Sequence, residues 1–308
     1  MASLAAFSTP SMPLPWRALA KMAGQSAEDM SKPIAFVEDP TTDTQAWVYR
    51  ELQQKRVIVA FRGTEQVKWK DLLTDLNFQP VSFNAERTDA MRPLTLRLFD
   101  QASKSLQVHK GFLDAYDSIR TRIFSIVDAV TERDAQWSIA CTGHSLGGAL
   151  ATLCAYELAT RRPAKSGRDP KVEMYNFGSP RVGNRAFADA YNAVVSESWR
   201  ITSSRDAIPT VPRLAGYKHV ENTVILTGTG LNFENTPRDL WEGRVMREVV
   251  EEISEKVSRN QQPIQEIADE VLANEKELLD LVLDGSGLEQ HMEDCYLACL
   301  EGCVKRMV

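Results

Sequence analysis

The order of apolar segments along the chain predicts an α/β fold, with a mostly parallel central sheet flanked by helices. Three short segments, at residues 56–61, 137–141 and 172–177, are predicted to be strands, and the first two are apolar and at least partly β-branched, as is typical of buried strands. Two longer segments, residues 111–133 and 148–158, have the apolar spacing or the composition of helices. Strands that alternate with helices in this way pair in parallel within one sheet.

Other segments extend this pattern in both directions. Residues 45–50 form a predicted strand joined to the strand at 56–61 by a polar turn, and further strands are predicted at 199–204 and 222–227, the last clear one. Residues 77–108 are weakly periodic and are expected to be mostly loop. Additional helices are predicted at residues 16–22, 69–76, 183–195, 238–259, 263–283 and 288–303.

The length of the chain, 308 residues, is one at which α/β folds commonly form a single domain. Residues 1–15 contain prolines that interrupt their apolar runs, and they are expected to form an N-terminal tail. The domain is expected to span residues 16–308, with a helical insertion at about residues 236–283 that carries acidic residues opposite an apolar face.

The charge balance limits the partners of the protein. A formal net charge of −6 and a pI of about 5.4 argue against a nucleic-acid partner, which favours a basic surface. No stretch approaches the roughly 20 apolar residues of a transmembrane helix, so no transmembrane segment is expected. The oligomeric state is left open.

The five cysteines, an odd number, indicate no disulfide framework. Cys295, Cys299 and Cys303 share a predicted helix with His291, but His291 and Cys303 are about 18 Å apart along such a helix. We therefore expect no metal site there, and expect the cysteines to be small buried apolar side chains. Without a glycosylation acceptor or a clear secretory signal, an intracellular location, cytoplasmic or plastid, is expected and secretion is disfavoured.

The stretch Gly143-His144-Ser145-Leu146-Gly147 lies between a predicted strand and a predicted helix. A G-x-S-x-G pattern in this context is typical of a nucleophile elbow, a sharp turn that presents the serine hydroxyl. The two glycines let the backbone pass closely, and the following helix directs its N-terminal N–H groups at negative charge beside Ser145. Taken alone, the pattern also fits an ordinary glycine turn.

A serine hydroxyl needs a base to take its proton and an acid to orient that base. In folds with this elbow the partners follow in the order Ser, Asp, His. Asp206 follows a predicted strand and is the candidate acid, although a turn-capping role is an even alternative. His219 and His291 are the candidate bases. His291 is favoured, because His219 stands at the beginning of a strand, at the edge opposite the expected mouth.

Two backbone N–H groups are expected to stabilise an oxyanion beside Ser145. Leu146 follows the serine and supplies one, and Thr64, in the turn after the strand at 56–61, supplies the second unless it is a plain turn residue. The predicted helix after this turn has an apolar face, which fits either permanent packing or a mobile cover. This face includes Val67, Trp69, Leu72 and Leu73.

Five stretches together resemble the class 3 lipase family, the α/β-hydrolases of fungi and plants. They are residues 61–64, 108–112, 142–151, 176–184 and 205–206 with the prolines at 209 and 212. The resemblance spans about residues 16–301, and residues 284–293 look most like the plant and algal branch.

The resemblance implies an α/β-hydrolase fold with a helical insertion before the last catalytic residue. It implies that Ser145 is the nucleophile, that Asp206 is the acid of the triad, and that His291 is the base. Thr64 and Leu146 then form the oxyanion hole.

The remaining motif residues also acquire expected roles from the resemblance. His109 and His144 occupy positions that the family uses structurally. The helix that carries Val67, Trp69, Leu72 and Leu73 becomes a lid over the active site.

The resemblance implies a serine carboxylic-ester hydrolase of the triacylglycerol or diacylglycerol lipase type. We expect it to act on acyl glycerolipids at a membrane or droplet interface, through an acyl-enzyme intermediate and without cofactor or metal. The alternatives are a phospholipase or galactolipase A1 and a lipase-like scaffold without catalysis. Residues 84–107 and the helical insertion are longer than the family's usual segments.

Overall fold

The structure is a computed structural model. It describes residues 33–63, 80–83, 105–131, 134, 136–161, 171–206, 208–212, 217–227, 230–234 and 291–307. The predicted tail, the predicted helices at 16–22 and 69–76, and the insertion at about 236–283 lie outside the described residues and stay predictions.

The described part of the chain contains a central sheet and a small second sheet. The central sheet has eight strands: β1 (Pro33–Asp39), β2 (Thr44–Glu51), β3 (Arg56–Phe61), β6 (Ser138–His144), β7 (Val172–Phe177), β9 (Glu197–Ser203), β11 (Thr223–Thr227) and β12 (Gly230–Glu234). The small sheet joins β4 (Pro80–Ser82), β5 (Gln107–His109), β8 (Gly183–Asn184) and β10 (Tyr217–Lys218).

The strands of the central sheet lie in the order β1-β2-β3-β6-β7-β9-β11-β12. From β3 to β11 each strand is parallel to its neighbour. The strands β1, β2 and β12 pair antiparallel at the two edges. The prediction of an α/β fold with a mostly parallel sheet is confirmed.

Helices cover both faces of the central sheet. They are α1 (Lys110–Thr131), α2 (Leu146–Thr160), α3 (Arg185–Val194) and α4 (Glu293–Met307). The first two pack with β1, β2, β3, β6 and β7, whereas α4 packs on β11 and β12. Along β7, Met174 joins the core beneath α2, while Tyr175 and Phe177 pack near Tyr296 of α4. Because successive strand residues point to opposite faces, α4 lies on the face opposite α2.

The apolar stripe predicted for α1 is buried except at Ile126, which is only partly buried. Phe112, Tyr116, Ile119, Ile123 and Val127 are each at most 2 % exposed. Their spacing of three and four residues places them on one face of the helix, which packs on the sheet.

The sequence analysis missed both edge strands. β1 contains the apolar run at residues 34–37, a strand signal that was not used, whereas β12 contains Gly230 and Asn232 and has no strong local strand pattern. Both form through pairing with a neighbour, which a single-segment pattern does not show. Residues 222–227 are therefore not the last strand.

The small sheet corrects two further predictions. Residues 77–108, expected to be mostly loop, contribute β4 and β5. The helix predicted at 183–195 begins two residues later than expected, since Gly183 and Asn184 pair within this sheet. The Asn184 side chain accepts the backbone N–H of Phe187 at 2.9 Å and so begins α3.

Among the described residues, no helix is both long enough and apolar enough to cross a membrane.

His109 links the small sheet to α1. It is fully buried, its ring stacks on Phe112 at 4.1 Å, and its Nδ1 accepts the backbone N–H of Phe112 at 3.3 Å. This is the position of an N-cap, one residue before the helix. Burial lowers the pKa of His109 to about 4.

The buried, neutral state of His109 predicts a loss of stability in acid. The unfolded chain takes up this proton near the ordinary value of 6.5, whereas the folded protein takes it up only at about 4. The free energy of unfolding should therefore fall as the pH drops from about 6.5 to about 4, by up to about 3 kcal/mol from this residue. His109→Asn keeps the N-cap acceptor but cannot titrate, so urea unfolding should show a shallower pH dependence. Equal slopes for both proteins would contradict this account.

Candidate active site

Ser145 is the single residue between β6 and α2. Its backbone adopts φ 60° and ψ −122°, a sparsely populated conformation that costs about 1–3 kcal/mol. A Cβ on Gly143 would lie 2.3 Å from the carbonyl oxygen of Gly147, and a Cβ on Gly147 would lie 2.3 Å from that of Phe61. Both glycines are therefore required by the close passage of the backbone around the serine.

The structure brings Ser145, Asp206 and His291 together. The Nε2 of His291 lies 2.8 Å from the Oγ of Ser145, and its Nδ1 lies 2.7 Å from the Oδ2 of Asp206. All three residues are buried. His219 lies elsewhere, and its Nε2 donates to the carbonyl oxygen of Pro209 at 2.6 Å. Of the two histidines that follow Asp206, only His291 contacts the serine in this way.

The parallel strands set this meeting point, since their carboxyl ends lie at one edge of the sheet. Ser145 follows β6, Gly178 follows β7, and Asp206 lies three residues beyond β9. The strand register is continued by two backbone bonds: Ser145 N–H donates to Phe177 at 2.8 Å, and Gly178 N–H donates to Ile201 at 2.9 Å.

The carboxylate of Asp206 is held by three donors. Its Oδ1 accepts the backbone N–H of Ile208 at 2.9 Å, and its Oδ2 accepts the Tyr296 hydroxyl at 2.6 Å as well as His291 Nδ1. The Tyr296 hydroxyl in turn accepts the backbone N–H of Ser203 at 3.0 Å. Asp206 thus caps its turn with one oxygen and faces His291 with the other, a geometry compatible with both roles left open for it.

Tyr296 was missed by the sequence analysis. The available signal was an aromatic residue five positions after His291 on a predicted helix, which by itself is typical of ordinary packing. Only the packing of α4 against β9 and β11 brings its hydroxyl to Asp206.

Gly178 leaves the space in which these groups meet. Its φ is 59°, and a Cβ there would lie 2.9 Å from both Asp206 Oδ2 and His291 Cε1, and 3.0 Å from the Tyr296 hydroxyl. The sequence analysis included Gly178 in a motif but gave it no role in the site.

The protonation state of His291 follows from its partners. Burial lowers its pKa below the ordinary histidine value, and the bond to Asp206 partly offsets this. The ring is therefore neutral near neutral pH, and the carboxylate acceptor places the proton on Nδ1. Nε2 is left as an acceptor for the Ser145 hydroxyl. This arrangement can remove the proton from Ser145 as its oxygen attacks an electrophile.

The predicted oxyanion donors are described only in part. Leu146 is the first residue of α2, where backbone N–H groups have no acceptor within the helix. Thr64 lies outside the described residues, but the chain just before it passes close to the serine, since a Cβ on Gly63 would lie 3.6 Å from Ser145 Cβ. The predicted lid residues Val67, Trp69, Leu72 and Leu73 also lie outside the described residues.

The residues that the structure describes contain no group of three or more His, Cys, Asp or Glu side chains that could hold a metal ion. The expectation that the cysteines of the last helix are buried is wrong for Cys295 and Cys299, which are only partly buried. Cys299 nevertheless packs against the core cluster that includes Tyr296.

The chain is similar to several known proteins. The family model described as Lipase (class 3) matches residues 58–215. A lipase of Rhizomucor miehei is 33% identical over 178 residues, which cover 58% of this chain and 43% of the relative. Secreted mono- and diacylglycerol lipase 1 of Fusarium solani is 28% identical over 217 residues, 69% of this chain and 57% of the relative. Phospholipase A1-Igamma2, chloroplastic, of Arabidopsis thaliana is 31% identical over 182 residues, which cover 53% of this chain and 32% of the relative.

The chain thus spans between about a third and just over half of the length of these curated relatives. In the comparisons with solved structures, the matched share is similar for this chain and for the other chain. The triacylglyceride lipase of Rhizomucor miehei has a TM-score of 0.53 at 29% identity and covers 65% of this chain and 68% of its own. Lipase II from Rhizopus niveus has a TM-score of 0.55 at 26% identity, with 67% and 71% covered. The fold is an α/β-hydrolase fold.

The expected intracellular location, cytoplasmic or plastid, with secretion disfavoured, is wrong. The relative from Fusarium solani is named as secreted, and it matches the largest share of this chain among the relatives above. The sequence argument relied on the absence of a glycosylation acceptor and of a clear secretory signal, and these absences do not determine where a protein is located.

Because the groups of the site meet in the space left by Gly178, this position should be sensitive to substitution. Gly178→Ala should displace Asp206 or His291, and a misplacement of about 1 Å costs on the order of 100-fold in rate. We expect a fall of this size in kcat for hydrolysis of a soluble nitrophenyl ester. Gly183→Ala is the matched control, since its Cβ would crowd the Gln107 carbonyl at 2.6 Å within the small sheet. A folded Gly178→Ala protein with unchanged kcat would contradict the geometry.

Proposed function

Because the chain belongs to the class 3 lipase family, we propose that it is a serine carboxylic-ester hydrolase acting on acyl glycerolipids. One observation carries the proposal: the buried His291 ring lies 2.8 Å from Ser145 Oγ and 2.7 Å from Asp206 Oδ2. In this proposal Ser145 is the nucleophile, His291 the base and Asp206 the acid that orients it.

The reaction proceeds in two halves. Ser145 attacks the ester carbonyl while His291 takes its proton, and the resulting imidazolium is stabilised by Asp206. The backbone N–H groups of Leu146 and Thr64 bind the oxyanion, and one such donor typically contributes about 3 kcal/mol. His291 then protonates the leaving alcohol, and an acyl group stays on Ser145. A water molecule activated by His291 completes hydrolysis of this acyl-enzyme.

The substrate class follows from the relatives. Two of them carry names of lipases, one of these for mono- and diacylglycerols, which supports a triacylglycerol or diacylglycerol lipase working at a membrane or droplet interface. A phospholipase or galactolipase A1 is the second candidate, favoured by the Arabidopsis relative of that name. A scaffold without catalysis is disfavoured, since the serine, histidine and aspartate are present in hydrogen-bonding geometry. Placement in the plant and algal branch rests on residues 284–293 alone.

A lid is the second part of the proposal. Ser145 and His291 have no exposed surface, so an ester reaches them only after a covering segment moves. The segment that follows the oxyanion turn carries an apolar face, and exposure of that face is favourable only where lipid replaces the lost contacts. This apolar face is formed by Val67, Trp69, Leu72 and Leu73.

Alanine substitutions test the catalytic assignment. Ser145→Ala and His291→Ala should each lower kcat on a short-chain nitrophenyl ester by several orders of magnitude, because each removes a member of one catalytic unit. His219→Ala is the matched histidine control and should keep most of the activity, since His219 contacts the Pro209 carbonyl. An unchanged rate for Ser145→Ala would contradict the proposed function. An active His291→Ala beside an inactive His219→Ala would overturn the choice of base.

The lid is tested by comparing two substrate forms. Trp69→Ala removes a large apolar side chain from the proposed lipid-contacting face. Hydrolysis of an emulsified glycerolipid should fall far more than hydrolysis of a soluble monomeric ester. An equal loss on both substrates would indicate that this helix is packed permanently on the core.

A further inference from the structure

We propose that His144 is a positioning residue, which fixes the catalytic base by a hydrogen bond to the main-chain carbonyl of His291. The inference rests on the proposed function, in which His291 is that base. It assigns to His144 a specific task, beyond its place in the G-x-S-x-G motif.

The contact is close and partly buried. His144 Nε2 lies 2.8 Å from the main-chain oxygen of His291, and the His144 side chain is only 13% exposed. A carbonyl oxygen only accepts hydrogen bonds, so Nε2 of His144 carries the proton and donates. The two imidazole rings also pack against each other in a tilted arrangement, with centroids 4.6 Å apart and planes inclined by 34°. Tyr296 packs edge-on against His144 at 5.6 Å.

The bond from His144 fixes the main chain of His291, which the two side-chain hydrogen bonds of His291 do not fix. Ser145 and Asp206 bind the two ring nitrogens of His291, but the backbone that carries this ring belongs to a segment 85 residues beyond Asp206. The helix that follows this segment is bound to Ser203 of β9 through the Tyr296 hydroxyl, but that bond does not hold the main chain of His291 itself. The His144 bond ties its carbonyl directly to the central sheet.

The end of one strand therefore sets the positions of both Ser145 and His291. His144 is the last residue of β6, and Ser145 follows it directly. β6 is paired on both sides, with β3 and with β7. Since the last residue of this strand holds the carbonyl of the base and the next residue of the chain is the nucleophile, their separation is set at the end of a rigid element. Catalysis depends on this separation, because a shift of about 1 Å costs on the order of 100-fold.

The other contact of the His144 ring is weaker. Its Nδ1 lies 3.5 Å from Glu293 Oε1, and the Glu293 side chain is 68% exposed. Exposed ion pairs contribute little to stability, since solvent screens them and long side chains lose freedom on pairing. The carbonyl bond is thus the positioning contact, and Glu293→Gln is a matched control that removes only the charge.

Three variants separate these contributions, with kcat and KM measured on a soluble short-chain nitrophenyl ester. His144→Phe keeps an aromatic ring but loses the donor, and kcat should fall about 10- to 100-fold with KM changed less than about twofold. His144→Gln keeps an N–H donor of similar reach and should recover most of the lost kcat. Glu293→Gln should stay close to wild type. If His144→Phe does not fold, His144→Asn, whose amide is too short to reach, takes its place.

A second readout does not depend on turnover. The proton between His291 Nδ1 and Asp206 should give a downfield proton NMR resonance in the wild type, because the bond is short and buried. This resonance should be lost or broadened in His144→Phe and retained in His144→Gln and Glu293→Gln.

The inference is overturned by wild-type kcat and an intact resonance in His144→Phe, by no recovery in His144→Gln, or by an equal loss in Glu293→Gln. A wild-type protein that hydrolyses no ester would instead contradict the proposed function. The resonance in the His144 variants would still decide whether His144 positions the His291 ring.

Discussion

The rest of the site depends on one imidazole held between two oxygens. His291 contacts Ser145 at 2.8 Å and Asp206 at 2.7 Å in a space from which water is excluded. Charges and dipoles in such a space interact strongly, but an unpaired polar group there is costly. The Asp206 carboxylate is accordingly satisfied by a backbone N–H, a tyrosine hydroxyl and the imidazole. Each of these donors comes from an element fixed by the sheet or by α4.

The central sheet converts distant positions in the chain into this geometry. Its parallel strands place Ser145, Gly178 and Asp206 at one edge of the sheet. Tyr296 of α4, and His291 just before this helix, approach from the face opposite α2. Strain at Ser145 is tolerated because Gly143 and Gly147 remove the Cβ atoms that would obstruct the turn. Burial shields the Ser145, His291 and Asp206 side chains from solvent, but it also closes them to substrate. The proposed function therefore includes a moving cover.

The features that could be predicted from the sequence are those that produce a local sequence pattern. The G-x-S-x-G motif between a strand and a helix predicted the position of Ser145, and the buried stripe of α1 followed from its spacing. β1 was missed although residues 34–37 form a local apolar run. The antiparallel edge strand β12 could not be predicted, because it forms by pairing with β11, a segment that a local pattern does not include. Tyr296, Gly178 and the carbonyl bond of His144 were missed for the same reason. Each acquires its role only where α4 meets the ends of β6, β7 and β9.

The central claim is that Ser145 is made nucleophilic by His291, and covalent labelling measures this most directly. The protein is treated with a fluorophosphonate, which phosphonylates activated serines, and the modified peptide is identified by mass spectrometry. The account predicts a single modification on Ser145 in the wild type, and labelling slower by orders of magnitude in His291→Ala, with His219→Ala unaffected. Labelling of a different serine, or equal rates in wild type and His291→Ala, would contradict it.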